Sequence, residues 1–70
     1  MDIRIYTRLI VKKGRLYLQG NGFFGLTWTP SRYDAWMTRN ICDAEKVAKL
    51  LGGELWLFNK ANGATAPLKQ

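Results

Sequence analysis

Along the first part of the chain, apolar and polar side chains change places at nearly every step. From Ile3, the residues Ile3, Ile5, Thr7, Leu9 and Val11 alternate with Arg4, Tyr6, Arg8, Ile10 and Lys12, the period of two that a strand with one buried side imposes. The Ile/Leu/Val side is expected to face the core. Lys13-Gly14 separates this run from Arg15-Leu16-Tyr17-Leu18-Gln19, and a glycine at the second loop position accepts the positive φ of a tight turn. A β-hairpin is predicted, with Leu16 and Leu18 on one face of its second strand and Arg15, Tyr17 and Gln19 on the other.

The following stretch, Gly20-Asn21-Gly22-Phe23-Phe24-Gly25, combines three glycines with two aromatics, and Leu26-Thr27-Trp28-Thr29-Pro30 ends in a proline that stops a ladder. It reads as a long connection with a short strand over 26–29. Phe23, Phe24 and Trp28 argue that it is packed down by its own side chains. Residues 35–39 read as a third strand, with a single helical turn beginning over 31–34 as the competing assignment.

Residues 40–58 carry the strongest pattern. Asn40 is an N-cap, Asp43 follows three residues later, and Asp43 and Glu45 suit the positive end of a helix. Ala44, Val47, Ala48 and Leu51 fall on one helical face, Lys46 and Lys49 lie toward the negative end, and Gly52-Gly53 supplies the left-handed stop. A helix this short is stable in water only when its apolar stripe docks on something, and the alternating strands are the partner. Leu55-Trp56-Leu57-Phe58 then returns as a strand over 54–59. Residues 61–70 have no periodicity and are expected to fray. The predicted fold is α+β: a small antiparallel sheet of three or four strands with one α-helix packed on one face, order β-β-(β)-α-β. One domain is expected over residues 1–60, followed by a flexible tail over 61–70.

Composition narrows the class. Seventy residues make one small domain in which core burial only just exceeds the entropy lost on folding. A hydrophobic fraction of 47% with 13% aromatics is too high for a disordered chain. The uncharged stretch 16–31 is interrupted by Gln19, Asn21, glycines and Pro30, so no membrane association is expected. No signal-peptide pattern opens the sequence and Cys42 is the single cysteine, so the expected location is the cytoplasm. Eleven Lys/Arg against five Asp/Glu give a net charge of +6, which favours nucleic acid or an acidic protein surface as partner against the plainer reading of a generally solvated cationic surface.

Catalytic chemistry finds little support. The chain has no histidine, which removes the commonest general base and zinc ligand. One cysteine cannot build a thiolate metal site, and the only close acids, Asp43 and Glu45, are explained by the helix start. Gly20-Asn21-Gly22-Phe23-Phe24-Gly25 spells G-x-G-x-x-G, but no helix is predicted after it to hold a phosphate. Cys42 stands in the first helical turn, where a thiol can be activated, yet it has no neighbouring base and reads as a small semi-buried residue. No enzyme activity, cofactor, metal or small-molecule substrate is expected.

The face opposite the helix is the better candidate. With Ile3, Ile5, Leu9, Val11, Leu16, Leu18, Leu55 and Leu57 under the helix, the pleat turns Arg4, Tyr6, Arg8, Lys12, Arg15, Tyr17, Trp56 and Phe58 to the other side. Basic groups interleaved with rings hold phosphates by charge and stack unpaired bases, and the candidate nucleic-acid contacts are Arg4, Tyr6, Arg8, Lys12, Arg15, Tyr17 and Trp56. The competing expectation is structural: the loop carrying Phe23, Phe24 and Trp28 folds over this face and makes a second small core, since each ring buries about 150–250 Å².

Two resemblances bear on function. Gly14-Arg15-Leu16-Tyr17-Leu18, Trp28-Thr29, Ala35, and Asp43-Ala44-Glu45-Lys46-Val47-Ala48-Lys49-Leu50-Leu51-Gly52-Gly53-Glu54 resemble, over residues 6–57, small uncharacterised proteins abundant in phages and prophages. Those run as a hairpin, a Trp-Thr turn, an Ala-containing segment, an AExxAxxLGGE helix and a final strand. The aromatic loop over 20–26 and Trp36-Met37, in place of an Ala-x-x-Phe spacing, depart from that pattern. A weaker likeness is to the arm-site DNA-binding domain of phage integrases, a three-stranded sheet backed by a helix. It implies contacts at Arg4, Arg8, Arg15 and Tyr17, and the strand over 54–59 has no counterpart in it. The expected function is a non-enzymatic phage-type accessory protein that binds nucleic acid through the basic, aromatic face. The alternative is a protein-binding inhibitor or adaptor acting on a host or phage protein, such as a defence-system or transcription component.

Overall fold

Three consecutive residues, Leu9, Ile10 and Val11, are each fully buried. Neighbours along a strand point to opposite faces, so both sides of this strand are covered. It is the middle of the sheet. The structure is a computed structural model that describes residues 6–22 and 25–68; Ile3, Arg4, Ile5, Phe23 and Phe24 lie outside the described residues. The elements are β1 (Thr7–Lys13), β2 (Leu16–Gly22), β3 (Gly25–Thr29), a short 3₁₀ turn (Arg32–Asp34), α1 (Ile41–Leu51), β4 (Glu54–Asn59) and β5 (Thr65–Pro67). All strand pairs are antiparallel, in the spatial order β3-β2-β1-β4-β5, and the sheet is open. The fold is α+β as expected, with five strands in place of three or four.

Register fixes the faces. Leu9 lies opposite Leu57 and Val11 opposite Leu55, while Arg8, Ile10 and Lys12 lie opposite Phe58, Trp56 and Glu54; directly opposed residues share a face. On the first face Val11, Leu18 and Ala48 form a core with Trp28, Trp36, Val47, Leu51 and Leu55 packed around it. On the second face Ile10, Ala35 and Phe58 form another, flanked by Tyr17, Met37 and Trp56.

The helix follows its sequence signals. Asn40 Oδ1 accepts from the backbone N–H groups of Cys42 and Asp43 at 3.0 and 3.3 Å, satisfying donors that the first turn cannot pair internally. At the other end Gly52 takes φ 69° and its N–H donates to the Ala48 carbonyl, as does that of Gly53 at 2.8 Å. This six-to-one closure is a Schellman stop. Gly53 is also a point of close approach, because a Cβ there would stand 2.7 Å from Val11 Cγ1.

Four segments differ from expectation. The first hairpin turns on Gly14-Arg15, since Lys13 still pairs with Leu16; Gly14 carries the positive φ of 62° at the first loop position, the order that a II′ turn requires. The long connection is a second hairpin: β2 runs to Gly22 and β3 starts at Gly25, with a bulge between Leu18 and Gly20. Its Trp28 is opposite Leu18 and packs under the helix, so it does not cover the second face. Residues 35–38 wedge between β1 and β2, which pair only at Lys12–Tyr17 and Lys13–Leu16. There the Trp36 N–H donates to the Leu18 carbonyl at 2.7 Å, and Leu9 and Thr38 exchange bonds of 2.8 and 3.1 Å. A bridge at Thr38 and the 3₁₀ turn before it mean that both readings of 31–39 describe part of the chain. Segment 61–70, expected to fray, contributes β5 instead, paired with β4 through Trp56–Pro67, Leu57–Ala66 and Phe58–Thr65.

Three substitutions test this packing. Val47→Asp puts a charge under the helix and is expected to abolish cooperative unfolding; a native-like melt would contradict the helix register. Gly53→Ala forces a methyl into Val11 and should cost about 1–3 kcal/mol. In Gly20→Ala the new methyl meets nothing within 4 Å, and the cost should stay within about 0.5 kcal/mol. Denaturant titration of both compares them directly.

Candidate nucleic-acid interface

The second face divides into a covered half and an open half. Over the covered half, Ala35 and Met37 pack on Ile10 and Phe58, and the Tyr33 ring meets Phe58 edge-on, with centroids 5.9 Å apart. This cover is clipped in place: Arg32 Nε donates to the Gly63 carbonyl, its guanidinium lies 4.9 Å from the Tyr33 ring centroid, and Gly63 turns with φ 74° directly beneath the Tyr33 hydroxyl. The loop that brings Gly63 there is held by Asn59 Oδ1 accepting from the Ala61 N–H and Asn62 Oδ1 from the Ala64 N–H. A second core on this face was one expectation, and it exists. Residues 32–37 build it, and the loop over 20–30 supplies none of its described rings.

On the open half, Lys12 is the centre. Its ammonium lies 3.9 Å from the Trp56 ring centroid and 5.6 Å from that of Tyr17, and all three side chains are half-buried. Tyr17 reaches this position from β2, directly opposite Lys12; Trp56 reaches it from β4, two pairs along and on the same face. A cation over a ring face is favourable by about 0.5–1 kcal/mol where water has access. Glu54 completes the group: its Oε2 accepts from Trp56 Nε1 at 3.4 Å, and its backbone is directly opposite Lys12.

The remaining sequence-predicted contacts are dispersed. Arg8 shares the face with Lys12 and Ile10, is half-buried, and donates from Nη1 to the Thr7 carbonyl at 3.0 Å. Arg15 is exposed in the first hairpin turn. Tyr6 is 38% exposed just before β1, and its carbonyl accepts from the Lys60 N–H. Phe58 is only 3% exposed and belongs to the covered half. Arg4 lies outside the described residues. Three strands thus bring together Lys12, Tyr17 and Trp56, with Arg8 and Arg15 farther out. Glu54 was missed, although the alternation that turns Trp56 and Phe58 outward applies equally to it. Arg32 and Tyr33 were missed because only contacts distant in sequence place them there.

Elsewhere, a hollow of about 550 Å³ lies on the helix side, bordered by Glu45, Lys49, Leu55, Pro67 and Leu68. Among the described residues no helix is long and apolar enough to cross a membrane. Comparison of the chain with protein-family models, with curated proteins and with solved structures finds no match.

The division of the face is measurable as stability. Phe58→Ala should cost about 3–5 kcal/mol, as for other buried rings, whereas Lys12→Met, which loses two water-accessible cation–π contacts, should cost about 2 kcal/mol or less. Chemical unfolding of both variants checks this, and equal losses would mean that the Lys12 end is core as well.

Proposed function

We propose that this domain is a non-enzymatic nucleic-acid-binding module that uses the open half of its second sheet face. The observation that carries the reading is Lys12 set between the half-buried rings of Tyr17 and Trp56, with Arg8 on the same face and Arg15 in the adjoining turn. Phosphates take up the charge, and rings on a sheet offer bases a stacking surface. The net charge of +6 draws polyanions toward the whole molecule. In line with the resemblance over residues 6–57, its setting would be a phage or prophage accessory protein.

A second reading is a module that blocks or adapts a host or phage protein. The open sheet favours it, because β3 and β5 are edge strands to which a partner's strand can add. Pull-down from bacterial lysate with and without nuclease separates the two, a protein partner that persists after nuclease supporting the second.

Arg8→Glu with Arg15→Glu should abolish retention on a nucleic-acid column at low salt while the protein still melts cooperatively. In solution, the slope of log affinity against log salt should fall by roughly 1.5–2 for two lost phosphate contacts. Undiminished retention of the double variant would remove the proposed face from the interaction.

A further inference from the structure

We infer that the ligand of this face is an unpaired strand, gripped as two neighbouring nucleotides: one base on Tyr17, one on Trp56, and the phosphate between them on Lys12. This rests on the nucleic-acid reading above and specifies its substrate.

Tyr17 and Trp56 sit on strands either side of β1, two strand spacings or about 10 Å apart, and the Lys12 ammonium lies 5.6 Å from one ring centroid and 3.9 Å from the other. A duplex offers phosphates to such a surface, but its base faces are already stacked on one another. It would engage Lys12 and leave both rings idle. A single strand presents phosphate and π-faces together.

The surroundings also favour one strand. Tyr33 stands 62% exposed on top of Phe58 and raises the covered half above the sheet. What remains beside it is a strip over β2, β1 and the start of β4. Glu54 marks one limit of that strip, since its carboxylate beside Trp56 Nε1 repels a backbone phosphate from that edge of the ring and steers it toward Lys12.

Lys12 must then change partners. Without ligand its ammonium covers the Trp56 face where a base would lie. A phosphate offers it a charge-assisted hydrogen bond, stronger than a cation–π contact that water can reach, and its flexible stem allows the swing. Binding exchanges one for the other and bares the indole for the base.

The test compares three probes on the native protein by fluorescence anisotropy at low salt: oligo(dT), a base-free deoxyribose-phosphate strand of the same length, and a duplex of that length. Oligo(dT) should bind about five- to a hundredfold tighter than the base-free strand, and tighter than the duplex. Trp56→Leu combined with Tyr17→Leu should erase that margin with the salt slope unchanged, Trp56→Leu alone should remove only the share of one base, and Trp56→Phe should keep most of it. Lys12→Gln should lower the slope by about 1. The Lys12 ε-methylene protons, shifted upfield by the ring current of Trp56 in the free protein, should move downfield when oligo(dT) binds. Equal affinity for oligo(dT) and the base-free strand, or a duplex bound as tightly as oligo(dT), overturns the inference and leaves the charge-driven reading standing. Failure of all three probes to bind removes both.

Discussion

Everything in this fold follows from a central strand whose two faces must both be dry. Leu9 and Val11 point one way and Ile10 the other, and none of them retains accessible surface. Burial of each such side chain contributes about 1.5–3 kcal/mol, a large share of the net stability of a domain this size. One helix covers only one face. The chain therefore supplies the second cover from irregular structure, and residues 32–38 are placed to provide it. Where β1 and β2 part, these residues enter between them. Ala35 and Met37 then go to one core and Trp36 to the other, so a single short segment seals the gap in the ladder and serves both faces.

The same constraint explains how the two ends of the chain's second half are tied together. Arg32 reaches the Gly63 carbonyl, and Tyr33 rests between Gly63 and Phe58. The cover over Ile10 thus depends on the loop after β4 as well as on the segment before α1. Pairing of β5 with β4 holds that loop in place, with the Asn59 N–H donating to the Ala64 carbonyl and the Leu68 N–H to the Leu55 carbonyl. A C-terminal stretch without apolar periodicity is ordered because its backbone, rather than its side chains, has partners.

Legibility in the sequence tracks how local each cause is. The pleat of β1 and β4, the helix face, the Asn40 cap and the Gly52 stop rest on residues within a turn or a strand pair of one another, and all stand where the pattern puts them. Local turn chemistry was less decisive: Gly14 was assigned one loop position too late, and Asn62-Gly63 is a turn signal of the same kind as Asn-Gly in hairpins that went unused, which hid β5. The short strand over 26–29 was read, but its pairing with β2 and the side that Trp28 takes escaped, because glycine-rich strands weaken the period-two signal. The clip of Arg32 and Tyr33 onto Gly63 has no local signature at all. For the candidate site, the shared face of Arg8, Lys12, Tyr17 and Trp56 was readable from alternation. The identity of the cover was not, since it depends on a wedge formed by residues more than twenty positions from β1.

The candidate site is what remains where the second cover ends. Phe58 and Ile10 are sealed by the 32–38 segment, but Trp56 and Tyr17, which flank that core, are only half-buried. Rings left open in this way would ordinarily form an adhesive apolar patch. Lys12 resolves this, because its methylene stem lies along apolar surface while its charge stays near water, and its ammonium faces both rings. A hydrophobic residue at position 12 would close the patch permanently and lose the charge; a short polar one would leave the rings bare. Lysine alone among these choices gives a lid that is soluble when the face is empty and that an anion can draw aside, so the feature that protects the unliganded surface is the same one that suits it to a phosphate-bearing ligand.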